Sequence, residues 1–584
     1  MASIAGLAYQ RFGWLSKGLL WLLYGGSSSK LRDRLEAAGM RIYPEAYLSV
    51  VGLFLVLASA LAAAVVALTR FIPVLVLPVI VLLVGYALPI IKAQDRASKL
   101  DAEAPFVAAY VSVMATGGLP PYASLRKLKN CDLLPNTAKV ARQMEVDVML
   151  KGLDPVAAIE KSAERLPSKE FREFLTGYTY TLRTGGDVVH YLMTRTEVMF
   201  RDLATKLKAF GERAAILLES YIAVVILSSL GLSIAFLISM AFRGFLQGGF
   251  TAESFLMYSY IVMPVLSIFF IYLADISSFQ EPVYETTPYK VYAAAMPFTF
   301  FLIMVMFLPF VVPGLTAAMP FAKPFKDFLT WLREVLGLDR GVEPAMGLGI
   351  ALIVGTIPAM IAHDYYERRR GRGLFYEVAN FLRDLTEVRK TGASPEACVT
   401  QLSTRPYGAF TKHLRLVARQ LRWGFPFRVV YETLKRRISS WMALINLYIL
   451  VDAIEVGGGT PETLETMARF GEMQVSLEKE RMAMLRPLMI MPYIGAALMV
   501  FSTLITVYFM HSAVATTTRI PIPFAQLIST IVPTLVLMSY IMGLVTGKIG
   551  KGSVSAGFRH AIVLTIMALA TIVVVPKLRI LMPF

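Results

Sequence analysis

Charged side chains are scarce in this 584-residue sequence: Asp, Glu, Lys and Arg make up 17% of it, whereas hydrophobic residues make up 56%. A typical soluble domain carries about 25% charged residues. The composition excludes a disordered chain and, despite a formal net charge of +17, a protein that coats nucleic acid. It predicts an integral membrane protein, with membrane lipid among its partners and no nucleic acid.

Motifs that carry chemistry are also lacking. The two cysteines, Cys131 and Cys398, lie far apart, which excludes a disulfide framework and a thiolate zinc site. The five histidines form no H-E-x-x-H motif, and the G-x-S-x-G elbow of hydrolases is missing. Without a G-x-x-x-x-G-K-[ST] phosphate loop, the chain should not hydrolyse nucleotide itself. We expect no enzymatic activity, no cofactor and no bound metal.

Long apolar runs, by contrast, are plentiful. A bilayer crossing by a helix needs about 20 apolar residues. Nine windows reach or approach this length: 46–69, 71–91, 218–242, 254–274, 291–312, 345–363, 487–510, 524–546 and 560–577. The segments between them show helical periodicity and no alternating β-branched runs. The predicted fold class is an all-α polytopic membrane protein with about nine transmembrane helices.

Lys and Arg are distributed unevenly between the segments that separate these windows. With the N-terminus inside, the cytoplasmic segments hold 49 of the 58 basic residues; counting acids as well, they carry a net +13 against +4 outside. Cytoplasmic segments of membrane proteins are enriched in Lys and Arg. We therefore predict a multi-pass protein of the cell membrane, with a cytoplasmic N-terminus and an external C-terminus.

This topology divides the chain into eight parts. They are an N-terminal cytoplasmic or interfacial helical segment (1–45), transmembrane helices 1–2 (46–91), a first cytoplasmic helical domain (92–217), transmembrane helices 3–5 (218–312), an outer amphipathic segment (313–344), transmembrane helix 6 (345–363), a second cytoplasmic helical domain (364–486) and transmembrane helices 7–9 (487–584). Apolar residues of the outer segment recur at helical spacing from Phe325 to Leu336. This helix either lies on the outer membrane surface or forms a small lid packed on the spans.

The two predicted cytoplasmic domains repeat one another. Three short matches occur in the same order at nearly one offset: Gly118–Ala123 with Gly392–Ala397 at 274 positions, Gly152–Leu153 with Gly424–Phe425 at 272, and Thr184–Asp187 with Gly457–Thr460 at 273. Predicted spans flank both domains at nearly the same offset. Because an internal period of this kind marks a repeated structural unit, we predict a duplication of a unit made of a span, a helical domain and a span.

The glycine turns of the repeat are the first candidate partner-binding sites. Glycine after a helix can adopt positive φ, proline can begin the next helix, and Asp or Thr can cap its N-terminus. The candidates are Gly118, Pro121, Gly185, Gly186, Asp187, Gly392, Pro395, Gly457, Gly458 and Gly459. They are either turns of a helical bundle and nothing more, or contacts presented to a partner.

A basic stretch of the second domain is the other candidate. Arg415 and Arg419 are neighbours on one helix face, and Arg422 continues that face. Further basic residues follow: Arg428, Lys435, Arg436 and Arg437. This surface is either solvated or facing lipid headgroups, or it docks an acidic partner.

The lead-in to the first span, Leu31 to Tyr47 (LRDRLEAAGMRIYPEAY), resembles the start of archaeal members of the type II secretion system F / type IV pilus (archaellum-like) assembly platform family. The two helical domains between spans are similar to that family's repeated cytoplasmic domain. The turns Gly118–Pro121 and Gly185–Asp187, with their weaker second copies, resemble its glycine-marked positions. The resemblance covers nearly the whole chain.

The resemblance implies a non-enzymatic membrane platform at the base of a pilus-like filament. Its cytoplasmic domains would engage a hexameric secretion ATPase that drives extraction and assembly of pilin subunits. The basic face with the Gly457–Gly459 turn would then meet acidic residues of that ATPase. The resemblance does not determine the type of filament or whether the protein forms a homodimer. The alternatives are a secondary transporter and a membrane-embedded enzyme; the first should show polar groups at mid-span and the second a convergent polar constellation, and the sequence shows neither.

Overall fold

The computed structural model describes residues 2–40, 42–69, 77–241, 251–277, 286–311, 319–370, 373–457, 459–518 and 523–581. Throughout these ranges the regular structure is helical, with no strand, which confirms the all-α fold class. The helices of the N-terminal part are α1 (Ala2–Tyr24), α2 (Ser28–Ala37), α3 (Pro44–Thr69) and α4 (Leu77–Thr116). The first helical domain continues with α5 (Pro121–Lys127), α6 (Pro135–Met149), α7 (Pro155–Glu164), α8 (Lys169–Arg183) and α9 (Val188–Ala241).

The middle of the chain is largely apolar and the second domain follows it. The middle helices are α10 (Ala252–Met257), α11 (Met263–Ser277), α12 (Thr287–Met306), α13 (Leu308–Val311), α14 (Lys323–Leu336) and α15 (Glu343–Arg370). The second domain comprises α16 (Leu374–Arg389), α17 (Pro395–Leu402), α18 (Thr411–Arg422), α19 (Phe427–Lys435), α20 (Trp441–Gly457) and α21 (Pro461–Leu488). The last helices are α22 (Met491–Thr518), α23 (Phe524–Lys551) and α24 (Gly557–Leu581).

Seven helical stretches of the described chain are long and apolar enough to cross a membrane. They are Val188–Met240, Glu253–Asp275, Thr287–Val311, Glu343–Arg368, Pro461–Ala513, Phe524–Lys551 and Val554–Lys577. These correspond to the last seven of the nine predicted windows. The first two fall on α3 and α4, and residues 70–76 between these helices lie outside the described residues. The total of nine therefore stays a prediction, whereas a multi-pass membrane protein is confirmed.

The two helical domains contain the same six helices in the same order. Helices α4 to α9 of the first correspond to α16 to α21 of the second. The starts of α5, α7, α8 and α9 are separated from those of α17, α19, α20 and α21 by 272 to 274 positions, and the ends of α4 and α6 from those of α16 and α18 by 273. A carboxylate makes equivalent contacts in both domains. The buried Glu103 accepts hydrogen bonds from the backbone N–H groups of Asn136 and Thr137 at 3.1 and 2.7 Å, and the half-buried Glu377, 274 positions later, accepts from that of Phe410 at 2.8 Å. Each carboxylate thus holds the start of the third helical segment against the first helix.

One continuous hydrophobic core joins the two domains. The ring of Phe106 on α4 lies edge-to-face against Trp441 on α20 with centroids 4.7 Å apart, and Tyr110 stacks on Tyr448 at 5.9 Å. Trp441 Nε1 donates a hydrogen bond of 2.8 Å to the Leu133 carbonyl. The first helix of one copy therefore packs on the fifth helix of the other.

The contact uses different surfaces of the two copies. Buried residues of α4 have polar counterparts 274 positions later on α16: Phe106, Tyr110 and Val113 against Asn380, Asp384 and Glu387. Likewise Tyr448 of α20 is buried, whereas its counterpart on α8, Thr176, is exposed. Such a head-to-tail contact would continue into a chain of copies if both ends stayed apolar. The polar counterparts on α16 and α8 therefore do not form a second contact of this kind within the described chain.

Helix α14 lies in the predicted outer segment and is amphipathic, as the sequence indicates. Leu329 is fully buried, and Arg333 donates to Glu343 at the start of α15 over 2.8 Å. Phe328 and Trp331 on the other side are exposed. The helix is thus packed on the spans through one face and has an exposed aromatic face on the other. That this face lies on the outer membrane surface stays a prediction. Of residues 313–344, those up to 318 lie outside the described chain.

Candidate functional site

Long helices carry the glycine turns away from the apolar segments. Helix α4 runs unbroken from its apolar part into the first domain, and residues 92–116 span about 36 Å at 1.5 Å per residue. Helix α9 returns over a similar distance into the next span. Three turns therefore lie at the end of the domain opposite the spans, namely those that directly follow α4, α6 and α8. We call this end, with the equivalent turns of the second domain, the distal end.

The first pair of turns has the predicted geometry. Gly118 and Gly392 adopt φ of 85° and 86°, a region that only glycine enters without strain. The N–H of Leu119 closes the end of α4 by donating to the Met114 carbonyl over 2.9 Å. Pro121 and Pro395 begin α5 and α17. The helix stops and starts that the sequence indicates are therefore present in both copies.

The second pair of turns is also capped as expected. Gly185 and Gly459 have φ of 72° and 59°. The Asp187 carboxylate accepts from the N–H of His190 at 3.0 Å, and the Thr460 hydroxyl accepts from the N–H of Thr463 at 3.3 Å. Gly186 lies in the same turn, whereas Gly458 lies outside the described residues.

Several of these turns meet at the boundary between the copies. Gly457 lies so close to the first turn that a Cβ atom there would be 3.0 Å from the Gly117 carbonyl oxygen. Arg389 connects the two turns of the second copy, donating from Nε to the Gly459 carbonyl at 2.8 Å and from Nη1 to the Ala393 carbonyl at 2.6 Å. The structure thus brings together three of the four predicted glycine turns through direct contacts.

The predicted basic face is present on α18. Arg415, Arg419 and Arg422 are exposed, while the opposite side of the helix is buried, including Leu414 and Leu421. None of the three arginines makes an ion pair or side-chain hydrogen bond within the described part of the chain. Arg428 and Lys435 do not extend this face, because each forms an ion pair of 2.8 Å, with Asp452 and Asp132 respectively.

A small cavity links the basic face to a glycine turn. Its volume is about 520 Å³, and Ser394, Glu396 and Arg422 are among the residues that line it. Ser394 caps α17 and directly follows the Gly392–Ala393 turn, whereas Arg422 ends α18. Turn and basic face are therefore parts of one surface at the distal end.

Exposed apolar residues on this surface were missed by the sequence reasoning. Trp423 is 71% exposed and Phe425 44% exposed, on either side of Gly424. At the equivalent place in the first copy, Met149 is 64% and Leu150 80% exposed. The sequence did contain a signal for them: large apolar residues lie beside a turn glycine and just before a proline that starts a helix. A helix end that is buried would not need such residues at these positions. Exposed apolar groups with a charged surround are typical of protein interfaces.

Across the part of the chain that the structure describes, no group of three or more His, Cys, Asp or Glu side chains is placed to hold a metal ion. Cys131 lies in the contact between the copies, and burial raises the pKa of its thiol to about 11, which keeps it from acting as a thiolate at neutral pH.

Comparisons with known proteins agree with the repeat. The family model of type II secretion system protein F matches the chain twice, at residues 107–235 and 381–508. An uncharacterized protein of Methanocaldococcus jannaschii is 21% identical over 515 residues, which cover 84% of this chain and 82% of that protein. No solved structure matches.

The fold defines a polytopic, all-helical membrane protein with a repeated polar domain, on which the candidate binding surface lies. The chain carries two copies of the domain that defines the type II secretion system protein F family. Proteins of this family are non-catalytic membrane platforms of secretion and pilus machinery. The resemblance of the sequence to this family is thereby confirmed.

Proposed function

We propose that this protein is the membrane platform of a type IV pilus-like filament machine and couples a cytoplasmic secretion ATPase to the extraction and assembly of pilins. In this role both helical domains are cytoplasmic, the N-terminus is inside and the C-terminus outside. The distribution of Lys and Arg supports the orientation. The chain itself neither binds nor hydrolyses nucleotide, so all the energy comes from the partner.

The observation that carries the proposal is the distal end. Two family domains join there through one core, and the end farthest from the spans presents Arg415, Arg419 and Arg422 beside the exposed Trp423 and Phe425. Arginine and tryptophan are the residues that most often dominate binding energy at interfaces. A partner with acidic side chains around an apolar pocket fits this surface. The hexameric ATPase is the partner we assign to it.

The fused domains suit the transmission of movement. Because Trp441, Phe106 and Tyr110 bury the contact between the copies, a rotation of one domain must carry the other with it. Helices α4 and α9 extend unbroken from the domain into the apolar region, so the movement reaches the spans directly. In this role the membrane-spanning helices would contact the pilin subunits.

Purification of the native complex from its own membranes in mild detergent tests the proposal. We expect a secretion ATPase and pilin subunits among the copurifying proteins, with the ATPase lost at high salt because charged groups form the contact. Stoichiometric nucleotide binding and turnover by the purified chain alone would contradict it.

A further inference from the structure

A second, larger cavity lies at the opposite end of the first helical domain. Its volume is about 1160 Å³. Its walls come from α2, the start of α3, the stretch 92–99 of α4, and the facing parts of α6 and α7. The apolar part of α4 ends at residue 91 and that of α3 begins after Pro44. The cavity therefore lies at the level where the polar domain meets the membrane-spanning region.

Cations dominate the wall of this cavity. Six basic side chains line it against three acidic ones: Arg32, Lys92, Arg96, Lys99, Lys139 and Arg165 against Glu36, Glu45 and Asp95. Two of the acids are already neutralised, Glu36 by Arg32 at 3.2 Å and Asp95 by Lys99 at 2.6 Å. The wall thus keeps a net positive charge.

Several groups on the wall are fixed or have no partner. Arg96 is held in place by hydrogen bonds of 3.0 and 3.1 Å to the carbonyls of Glu36 and Ala37. Lys92 and Lys139 make no ion pair or hydrogen bond within the described residues. Ser162 is only 5% exposed, and its buried hydroxyl has no hydrogen-bond partner among the described residues. A buried hydroxyl without a partner costs free energy unless a ligand completes it.

From these groups we infer that the cavity binds a phosphate-bearing anion. Lys92, Lys139 and Ser162 line the same cavity, and ammonium and hydroxyl groups are donors from which phosphate oxygens accept hydrogen bonds. Basic pockets at the polar ends of membrane helices bind lipid headgroups. The position of the cavity favours a phospholipid headgroup over a free phosphate, and both share the same recognition chemistry.

The second copy does not repeat the charges of this wall. The counterparts of Lys99 and Lys139 are Gly373 and His413. The site therefore distinguishes the two copies, and it does not depend on the docking role of the distal end. An anion held here would tie α2 and the first domain to the membrane surface.

Thermal unfolding of the purified full-length protein in neutral detergent tests the site. One arm adds phosphatidylglycerol or, as the uncharged control lipid, phosphatidylcholine; the other adds inorganic phosphate. A ligand of the folded state raises the unfolding temperature in a concentration-dependent way, which gives an apparent Kd. The wild type is compared with Lys92→Glu/Lys139→Glu and with Ser162→Ala. Lys412→Glu/Lys479→Glu, which changes two exposed lysines of the second copy, is the matched control for net charge.

We expect phosphatidylglycerol to stabilise the wild type and the control variant, and the Lys92→Glu/Lys139→Glu protein to bind it at least about tenfold more weakly, as two removed cations at a membrane surface should. Ser162→Ala should weaken binding by a smaller factor. Stabilisation by inorganic phosphate with the same dependence on Lys92 and Lys139 would assign the site to a soluble anion instead. Equal responses of wild type, double variant and control in both arms would overturn the inference.

Discussion

The hydroxyl of Tyr110 donates a hydrogen bond of 2.8 Å to the carboxylate of Asp452, across 342 positions of sequence and between the two copies of the repeat. The other oxygen of that carboxylate accepts from Arg428 at 2.8 Å. Tyr110 and Asp452 are both buried, and burial, with the neighbouring Asp452 charge, raises the pKa of the tyrosine far above its ordinary value. The tyrosine therefore stays protonated and donates at every physiological pH.

Replacement of Tyr110 by Phe should loosen the contact between the copies. The change keeps the ring that stacks on Tyr448 and removes one donor from a buried carboxylate, which costs about 1.5–3 kcal/mol for a hydrogen bond to a charged group. We expect a lower thermal unfolding temperature in detergent, measured by the loss of helical circular dichroism.

Tyr180→Phe is the matched control for this change. Tyr180 lies on α8 at the position equivalent to Asp452 on α20, and it is 70% exposed. The Tyr180→Phe substitution should leave the unfolding temperature unchanged. If both variants unfold at the wild-type temperature, the Tyr110–Asp452 bond does not hold the copies together.

Much of the fold follows from the sequence by simple patterns. Apolar length alone predicts seven spans that the structure contains, and the offset of the glycine turns predicts which helices correspond. Both signals are local: a span must be apolar along its own length, and a helix end needs glycine where φ is positive.

The contact between the copies could not be predicted in this way. Periodicity shows that one face of α4 is buried but does not say which helix covers it, and a repeat by itself favours equivalent surfaces on both copies. The sequence does show one difference that follows from the contact: α16 has the charged Asp384 and Glu387 where α4 has Tyr110 and Val113. Trp423 and Phe425 were missed because exposure of an apolar residue is a tertiary property.

Close approach of two glycines predicts a sterically sensitive position. Gly457→Ala would place a methyl group 3.0 Å from the Gly117 carbonyl oxygen, and we expect a loss of about 1 kcal/mol or more in stability because backbone must move. In an unconstrained helix the same exchange stabilises by about 0.5–1 kcal/mol. Gly231→Ala on α9, where a Cβ meets nothing within 4 Å, is the control. Thermal unfolding of both variants should therefore shift in opposite directions; a rise for Gly457→Ala would refute the close contact.

Both native thiols should be unreactive in the folded protein. Cys131 and Cys398 are buried, and burial raises the pKa of both thiols, that of Cys131 to about 11. At pH 7 roughly one Cys131 in ten thousand is then a thiolate, the reactive form. A maleimide should modify neither residue until denaturant is added, as mass spectrometry of the intact protein would show. Rapid modification of either in the native protein would mean that the domains open.

The unreactive thiols make single introduced cysteines useful for topology. Glu334→Cys on α14 should react with a membrane-impermeant maleimide in intact cells, because that helix is proposed to lie outside and the Glu334 side chain is 69% exposed. Lys169→Cys, whose side chain is 89% exposed, should react only after the membrane is permeabilised. The reverse pattern would invert the proposed orientation.

Charge reversal on the basic face tests the platform role most directly. Arg415→Glu/Arg419→Glu/Arg422→Glu alters three exposed side chains and leaves the buried face of α18 intact. Single Arg→Ala changes should do little, because an exposed charge contributes about 1 kcal/mol or less. Arg201→Glu/Lys208→Glu/Lys479→Glu makes the same change in net charge and is the control, because these exposed residues lie at least 13 residues along α9 and α21 from the distal turns.

The decisive measurement is the amount of secretion ATPase retained on membranes that contain equal amounts of wild-type, triple-variant or control protein, at low salt. We predict at least about a tenfold loss for the Arg415→Glu/Arg419→Glu/Arg422→Glu protein, with fewer filaments on the cells, and wild-type retention for the control. Undiminished ATPase on membranes with the triple variant would contradict the docking of an ATPase at the distal end.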